Sequence, residues 1–283
     1  MSHTRVDAAV NHSGQALGTW VQSPNPEACE IAALAGFDFV VIDMEHGTLG
    51  ISEAAAMIRA TRSRGADPVV RVPTSDAHHI RQACDAGATA VIVPGIRTVR
   101  QAASAVSAVR YEPNGSRGAC PCVPSVGYGT TPWTRASAMA SPQVWLLLET
   151  PEAVAEIEAV VATGPDAVVL GPFDLSMAMG LDGEYEHPDV VAALERVTAT
   201  ARTAGVEVVY VGLGKTPEEN ARGVAYWRAK GCRIATTLLD RTALAAAYQS
   251  VLSLIRTPEE ITPNASGDKA ASPHTGQLQG DTQ

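Results

Sequence analysis

Acidic, basic and guanidinium side chains recur in this sequence directly after short apolar runs. Val41-Ile42 leads into Asp43-Met44-Glu45-His46-Gly47, Val69-Val70 into Arg71, Leu146-Leu147-Leu148 into Glu149, and Val168-Val169-Leu170 into Gly171-Pro172-Phe173-Asp174-Leu175-Ser176. The carboxylates Glu149 and Asp174 are costly to hold side by side in a partly buried site unless a cation or a proton neutralises them. A hard divalent cation does so. Two carboxylates with waters and substrate oxygens suit Mg²⁺, and Mn²⁺ or Co²⁺ accepts similar ligands. The plainer alternative leaves Asp174 as a helix cap and Glu149 paired with an arginine. His46 is either an ordinary loop histidine or a general acid/base oriented by Asp43, Glu45 or Asp85. Arg71 can clamp a carboxylate or stabilise an enolate oxygen, or simply pair with a strand-end acid.

Other chemistries fit less well. A Schiff-base route needs a lysine aimed at the site, and of Lys215, Lys230 and Lys269 only Lys215 follows a strand-like run. Gly214-Lys215-Thr216 resembles the end of a phosphate-binding loop, but Val209 stands where the leading glycine is required. Cys120 and Cys122 have no histidine or second cysteine pair near enough to complete a zinc pattern. The five cysteines are an odd number spread over a large chain, which argues against a disulfide framework and predicts mostly buried thiols.

The elements that must position these residues alternate in type. Strand-like runs cover Ala16 to Val21, Phe37 to Asp43, Pro68 to Val72, Ala88 to Pro94, Val144 to Glu149, Ala167 to Leu170, Val206 to Val211 and Arg233 to Thr236. Ala-rich helical stretches separate them, several ending in glycine, as at Gly36, Gly65, Gly87, Gly205 and Gly231. Eight such pairs predict an α/β fold, a (β/α)8 TIM barrel, whose chemistry sits at the C-terminal ends of the strands. The residues singled out above fall at those ends. Residues 1–13 are expected to be a flexible N-terminus, 14–256 the barrel, and 257–283, poor in large apolar residues, a disordered C-terminal tail. The Gly- and Pro-rich stretch from Tyr111 to Pro132 is expected to wall the site.

In the 283 residues, thirty Asp and Glu against twenty-one Lys and Arg give a net charge of −9, which excludes the cationic field that would hold a nucleic acid. No apolar run approaches the roughly 18 residues that span a bilayer, and no secretory signal opens the chain. A soluble, cytoplasmic enzyme with a small-molecule partner is the expectation, with neither membrane nor nucleic acid engaged.

Taken together, Val41 to Gly47, Val70-Arg71-Val72, Asp85-Ala86-Gly87, Tyr111 to Gly118, Leu148-Glu149-Thr150 and Gly171 to Gly180 resemble, in order, the motifs of the HpcH/HpaI family of class II pyruvate aldolases, which cleave 4-hydroxy-2-oxo acids. The resemblance implies a phosphoenolpyruvate/pyruvate-type barrel, a homo-oligomer (a hexamer or trimer of dimers), and a 2-oxo acid substrate. It implies Mg²⁺, Mn²⁺ or Co²⁺ held by Glu149 and Asp174, with pyruvate chelating the ion. Arg71 would stabilise the enolate, His46 and Asp85 would form a proton-moving dyad, and the Gly171 turn with the N–H groups of Phe173 and Asp174 would hold the pyruvate carboxylate. Leu147, the arginine-free stretch around Ser125, and Phe173 depart from the family pattern and predict a narrower, more apolar acceptor pocket that favours neutral tails. Oxaloacetate decarboxylation, or condensation of the enolate with another acceptor, is the enzymatic alternative. A barrel kept as an inactive metal- or ligand-binding scaffold is the alternative from another class.

Overall fold

The computed structural model describes residues 4–134 and 141–256. Eight strands close a parallel barrel in sequence order: β1 (Ala16–Val21), β2 (Phe39–Asp43), β3 (Asp67–Arg71), β4 (Ala90–Val93), β5 (Gln143–Leu148), β6 (Ala167–Leu170), β7 (Glu207–Val211) and β8 (Ile234–Leu239). The expected TIM barrel is therefore the architecture of this chain. Helices α2 (Pro26–Leu34), α3 (Ile51–Ser63), α4 (Ala77–Ala86) and α5 (Val99–Val109) return from the first four strands. After β5 the expected single helix is two short ones, α6 (Pro151–Ala155) and α7 (Ile157–Val161), separated by Glu156 at φ −100° and ψ 22°. Three more follow β6 and β7: α8 (Pro172–Ala178), α9 (Pro188–Thr203) and α10 (Pro217–Lys230).

The strand alternation sorts the core into two layers, because successive side chains point to opposite faces. Trp20, Phe39, Val41, Val69, Ile92, Trp145, Leu147, Val169 and Val209 fill the barrel interior, where the Phe39 and Trp145 rings meet edge to face at 5.7 Å. Val40, Ile42, Val70, Val91, Leu146 and Val168 face outward onto the helices. The same period aims Asp43, two residues beyond Val41, and Arg71, two beyond Val69, into the C-terminal mouth.

At residues 4–13 a capped helix stands where a flexible N-terminus is expected. Thr4 and Asp7 form a capping box that starts α1 (Arg5–Ser13), and Gly14 ends it at φ +73°. Val6 and Val10, one helical turn apart, are buried with the barrel interior, and the Val6 N–H donates to Asp67 Oδ2 at 2.9 Å. Asp67 opens β3, so α1 closes the N-terminal end of the barrel. Contacts group Met1–Leu244 as one compact unit. The last helix, α11 (Asp240–Arg256), runs into a second unit, Ala245–Gln283. The tail expected at 257–283 lies outside the described residues.

No helix among the described residues is long and apolar enough to cross a membrane. Cys29, Cys84 and Cys232 are buried, with burial pushing the Cys84 thiol up to about 12, while Cys120 is half-buried and Cys122 exposed.

Deleting residues 1–13 should lower the unfolding free energy by roughly 3–6 kcal/mol, the worth of two valine side chains returned to water. Urea unfolding of the truncated chain checks this, and an unchanged midpoint would show that α1 adds nothing to the fold.

Candidate active site

The mouth of the barrel is organised by one buried ion pair. Asp43 and Arg71 are register partners on β2 and β3, and the guanidinium meets the carboxylate with two parallel bonds, Nε to Oδ1 at 2.8 Å and Nη2 to Oδ2 at 2.6 Å. The Asp43 side chain is 0% exposed and that of Arg71 10%. Asp43 also accepts from the Gln22 amide at 2.7 Å and from the backbone N–H groups of Glu45 and His46 at 3.1 and 3.3 Å. Burial alone would raise this carboxyl, but the hydrogen bonds and charge of Arg71, with Gln22 and the His46 N–H, outweigh it and hold Asp43 below the ordinary carboxylate range. Burial works against the Arg71 charge too, and Asp43, Glu45 and Glu149 more than compensate.

The Asp43 carboxylate thereby shapes the turn that carries the candidate base. Gly47 closes that turn so tightly that a Cβ would lie 2.0 Å from the Asp43 carbonyl oxygen, so a side chain at this position is excluded. His46 is exposed on the turn, with Nε2 3.9 Å from Glu45 Oε2. Glu45 in turn lies 2.9 Å from Arg71 Nη1, although its buried Oε2 has no well-aligned hydrogen-bond donor.

Glu149 follows β5 and accepts from the Gly95 N–H at 2.9 Å. Burial is the main cause of its raised pKa; the charges of Asp174 and Glu45 add to the rise, against the Gly95 N–H and Arg71. Glu45 is raised in the same way, by burial first and then by Asp43 and Asp174, against Arg71. The close approach of β6 matters here, since a Cβ on Gly171 would lie 2.7 Å from Glu149 Cβ. Asp174 sits in the first turn of α8 and is exposed, and the helix N-cap, Gly171, receives no side-chain cap. The N–H groups of Phe173 and Asp174, in that first turn, lack intrahelical acceptors.

Asp43, Glu45 and Glu149 thus act on one guanidinium, and the Asp174 charge acts on Glu45 and Glu149. This surplus of negative charge fits a divalent cation better than it fits the alternative of Glu149 paired with an arginine. No set of three or more His, Cys, Asp or Glu among the described residues is arranged as a metal cage, which leaves two carboxylates, with water and substrate oxygens completing the shell, as the arrangement these residues can offer.

Asp85 does not join this group. It lies in the last turn of α4, and because all strands are parallel, the helices between them run back and end at the opposite end of the barrel. Its partner is Arg117, at 2.7 Å, whose guanidinium stacks over Tyr111 at 4.4 Å. No hydrogen bond or ion pair joins Asp85 to His46; the carboxylate facing His46 is Glu45. The Tyr111 to Pro132 stretch likewise follows the C-terminal end of α5 and contacts α4 through the turn Pro124–Gly129, so within one chain it does not wall the mouth. Leu147, 3% exposed, fills the barrel interior one layer beneath Glu149. Of the three departures expected to reshape the acceptor pocket, only Phe173 stands at the mouth, half-exposed and against Gly183, where a Cβ would come within 2.9 Å of its ring. Residue spacing had not singled out Trp20, Gln22, Gly95 or Thr236, although the inward alternation Ala16, Gly18, Trp20 was a usable signal for the first.

Comparison with known proteins bears on the fold and the family. The family model described as HpcH/HpaI aldolase/citrate lyase matches residues 16–238. A 2-dehydro-3,6-dideoxy-6-sulfogluconate aldolase of Pseudomonas putida is 36% identical over 203 residues, covering 71% of this chain and 79% of its own. A 5-keto-4-deoxy-D-glucarate aldolase of Klebsiella pneumoniae is 33% identical over 214 residues, covering 75% and 82%. Among solved structures, an HpcH/HpaI aldolase/citrate lyase family protein of Burkholderia cenocepacia J2315 superimposes with a TM-score of 0.81 at 30% identity, covering 91% of this chain and 100% of that one.

Replacing Asp43 with Asn should cost about 3–5 kcal/mol at pH 7, because it leaves a buried guanidinium under-paired. The folded pKa of Asp43 lies below its unfolded value of about 3.9, so its stabilisation is complete above that value and is lost as pH falls through the folded pKa. The gap between wild type and Asp43→Asn in urea unfolding should therefore be constant above about pH 5 and shrink below about pH 4. A gap of equal size at both ends of that range would show that the ion pair does not carry it.

Proposed function

This chain belongs to the HpcH/HpaI aldolase/citrate lyase family, and on that footing we propose that it is a divalent-metal-dependent aldolase that cleaves or forms a 4-hydroxy-2-oxo acid through a pyruvate enolate. The gathering of Glu45 and Glu149 around Arg71 at the barrel mouth, with Asp174 close enough to raise both carboxyls, carries the proposal. Glu149 and Asp174 would hold Mg²⁺, Mn²⁺ or Co²⁺, whose charge, when bound, favours the enolate over the ketone. Arg71, locked by Asp43, presents its remaining N–H groups to the developing oxyanion without having to reorganise. The free N–H groups of Phe173 and Asp174 at the α8 start, beyond Gly171, suit a carboxylate. His46, exposed on the Asp43 turn with Glu45 beside it, would move the proton of the acceptor-side hydroxyl.

The protein would work as a homo-oligomer in the cytoplasm, and its small-molecule partner would be a 2-oxo acid. Support for the oligomer comes from the family resemblance. The fate of the enolate admits a second reaction, decarboxylation of oxaloacetate, which uses the same metal ligands and Arg71 but removes no hydroxyl proton. That difference separates the roles of the residues.

Glu149→Gln and Asp174→Asn should each abolish pyruvate release from 4-hydroxy-2-oxo acids and weaken Mn²⁺ binding, because a neutral amide cannot balance a divalent charge. Isothermal titration with Mn²⁺ reads this directly. Unchanged affinity in both variants would remove the site.

His46→Ala should lose aldol cleavage by about 10²- to 10⁴-fold, the usual worth of a general base, while oxaloacetate decarboxylation suffers much less. Equal losses in the two assays would mean that His46 is not dedicated to the acceptor-side proton.

A further inference from the structure

The two bonds to Asp43 take two of the five guanidinium N–H groups of Arg71 and, with Glu45 Oε2 lying 2.9 Å from Nη1, hold it within its own plane. They do not fix its tilt. One face of the guanidinium is covered by Trp20, whose ring centroid lies 4.7 Å from the Arg71 Cζ. The indole is itself held, its Nε1–H donating to Thr236 Oγ1 at 2.8 Å. The Thr236 hydroxyl lies 3.5 Å from the Tyr210 carbonyl oxygen, to which it donates, leaving its lone pairs for the indole. Thr236 is fully buried and Trp20 nearly so.

The barrel seam is distorted at this place. Gly18 pairs with Thr236 and Trp20 with Leu239, so one β1 residue, Thr19, stands opposite two on β8, Thr237 and Leu238. This is a bulge on β8, and its residue Leu238 has φ +65°, a left-handed conformation that is strained for a branched, non-glycine residue. In an undistorted strand Leu238, two residues after Thr236, would point into the mouth beside Trp20. Instead it turns outward into the groove that Leu17 and Val224 also line, 45% exposed. The strained turn keeps a leucine out of the space beside the indole and Arg71.

We propose that Trp20 and Thr236 are positioning residues for Arg71: Thr236 fixes the indole plane, and the indole face fixes the tilt at which the guanidinium meets the substrate oxygen. The proposal rests on the reading of Arg71 as the enolate-stabilising group. In the Mg²⁺-loaded enzyme, the exchange of pyruvate methyl protons for deuterium in D₂O, followed by NMR, reports enolate formation alone. Thr236→Val, which keeps the side-chain shape and removes the acceptor, should lower kcat for exchange about tenfold and leave KM within about twofold, and Thr236→Ser should restore it. Trp20→Phe, which keeps an aromatic face, should retain more activity than Trp20→Leu. In an Arg71→Lys background, Thr236→Val and Trp20→Phe should add less than about a twofold further loss, since they act through the group already altered. The proposal is overturned if Thr236→Val exchanges at the wild-type rate, if Thr236→Ser fails to rescue it, or if the loss multiplies in full on the Arg71→Lys background. Exchange at the wild-type rate by Arg71→Lys and Arg71→Ala would instead overturn the role of Arg71 itself, which the single variants at Trp20 and Thr236 do not test.

Discussion

A guanidinium removed from water on a barrel strand is tolerable only if its charge and donors are met, and the geometry of the mouth follows from how that is done. Asp43 meets Arg71 with two parallel bonds from the neighbouring strand, and its remaining lone pairs take Gln22 and the N–H groups of Glu45 and His46. A buried pair of this kind adds little net stability compared with apolar residues of the same volume, yet breaking it is expensive. Its value here is positional. The same carboxylate that holds Arg71 also holds the turn bearing Glu45 and His46, so Arg71 and the candidate base are set relative to one another by a single buried side chain.

Around that pair the charge does not balance. Glu45 and Glu149 share Arg71 as their cation with Asp174 acting on both, and burial together with mutual repulsion raises Glu45 and Glu149. A packed protein core would not retain such a cluster for stability, because each additional like charge in a partly desolvated site costs free energy. The strained φ of Leu238 lies on the adjacent seam. Strain and uncompensated charge in the same place are what a site built for a ligand looks like.

Much of this was legible in the sequence, for a physical reason. In a parallel barrel both faces of every strand are buried, so the strands read as short apolar runs and the first polar residue after each marks the mouth. Asp43, Arg71, Glu149 and Asp174 were found in that way. The strand ends shifted by a few residues, and β8 ran on to Leu239 because its bulge adds a residue that pattern alone does not reveal. Helix α1 was missed because nine residues with only Val6 and Val10 buried carry little apolar periodicity; the Thr4 and Asp7 capping box was the available signal. Trp20 and Thr236 were passed over because neither is ionisable, and their importance depends on which face of β1 and β8 they occupy.

Asp85 and the loop from Tyr111 onward show what position along the chain conceals. Both lie near residues of the mouth in the order of motifs, but direction decides where they stand. A strand delivers its last residue to the mouth, whereas the helix that follows carries its last residue away, about 1.5 Å per position, to the far end of the barrel. Asp85 therefore meets Arg117, not His46, and the Arg117 side chain, fully buried, is compensated by that carboxylate and by the face of Tyr111. Tyr111 in turn packs edge-on against Trp133 at 5.3 Å. The cluster ties the long segment after α5 to α4, just as Asp43 ties the mouth together: among the described residues a buried arginine stands at each end of the barrel, each paired with an acid and stacked on an aromatic ring. At the mouth the guanidinium sits amid surplus negative charge, with Glu45 and Glu149 acting on it beside Asp43, and that difference separates a site from a structural staple.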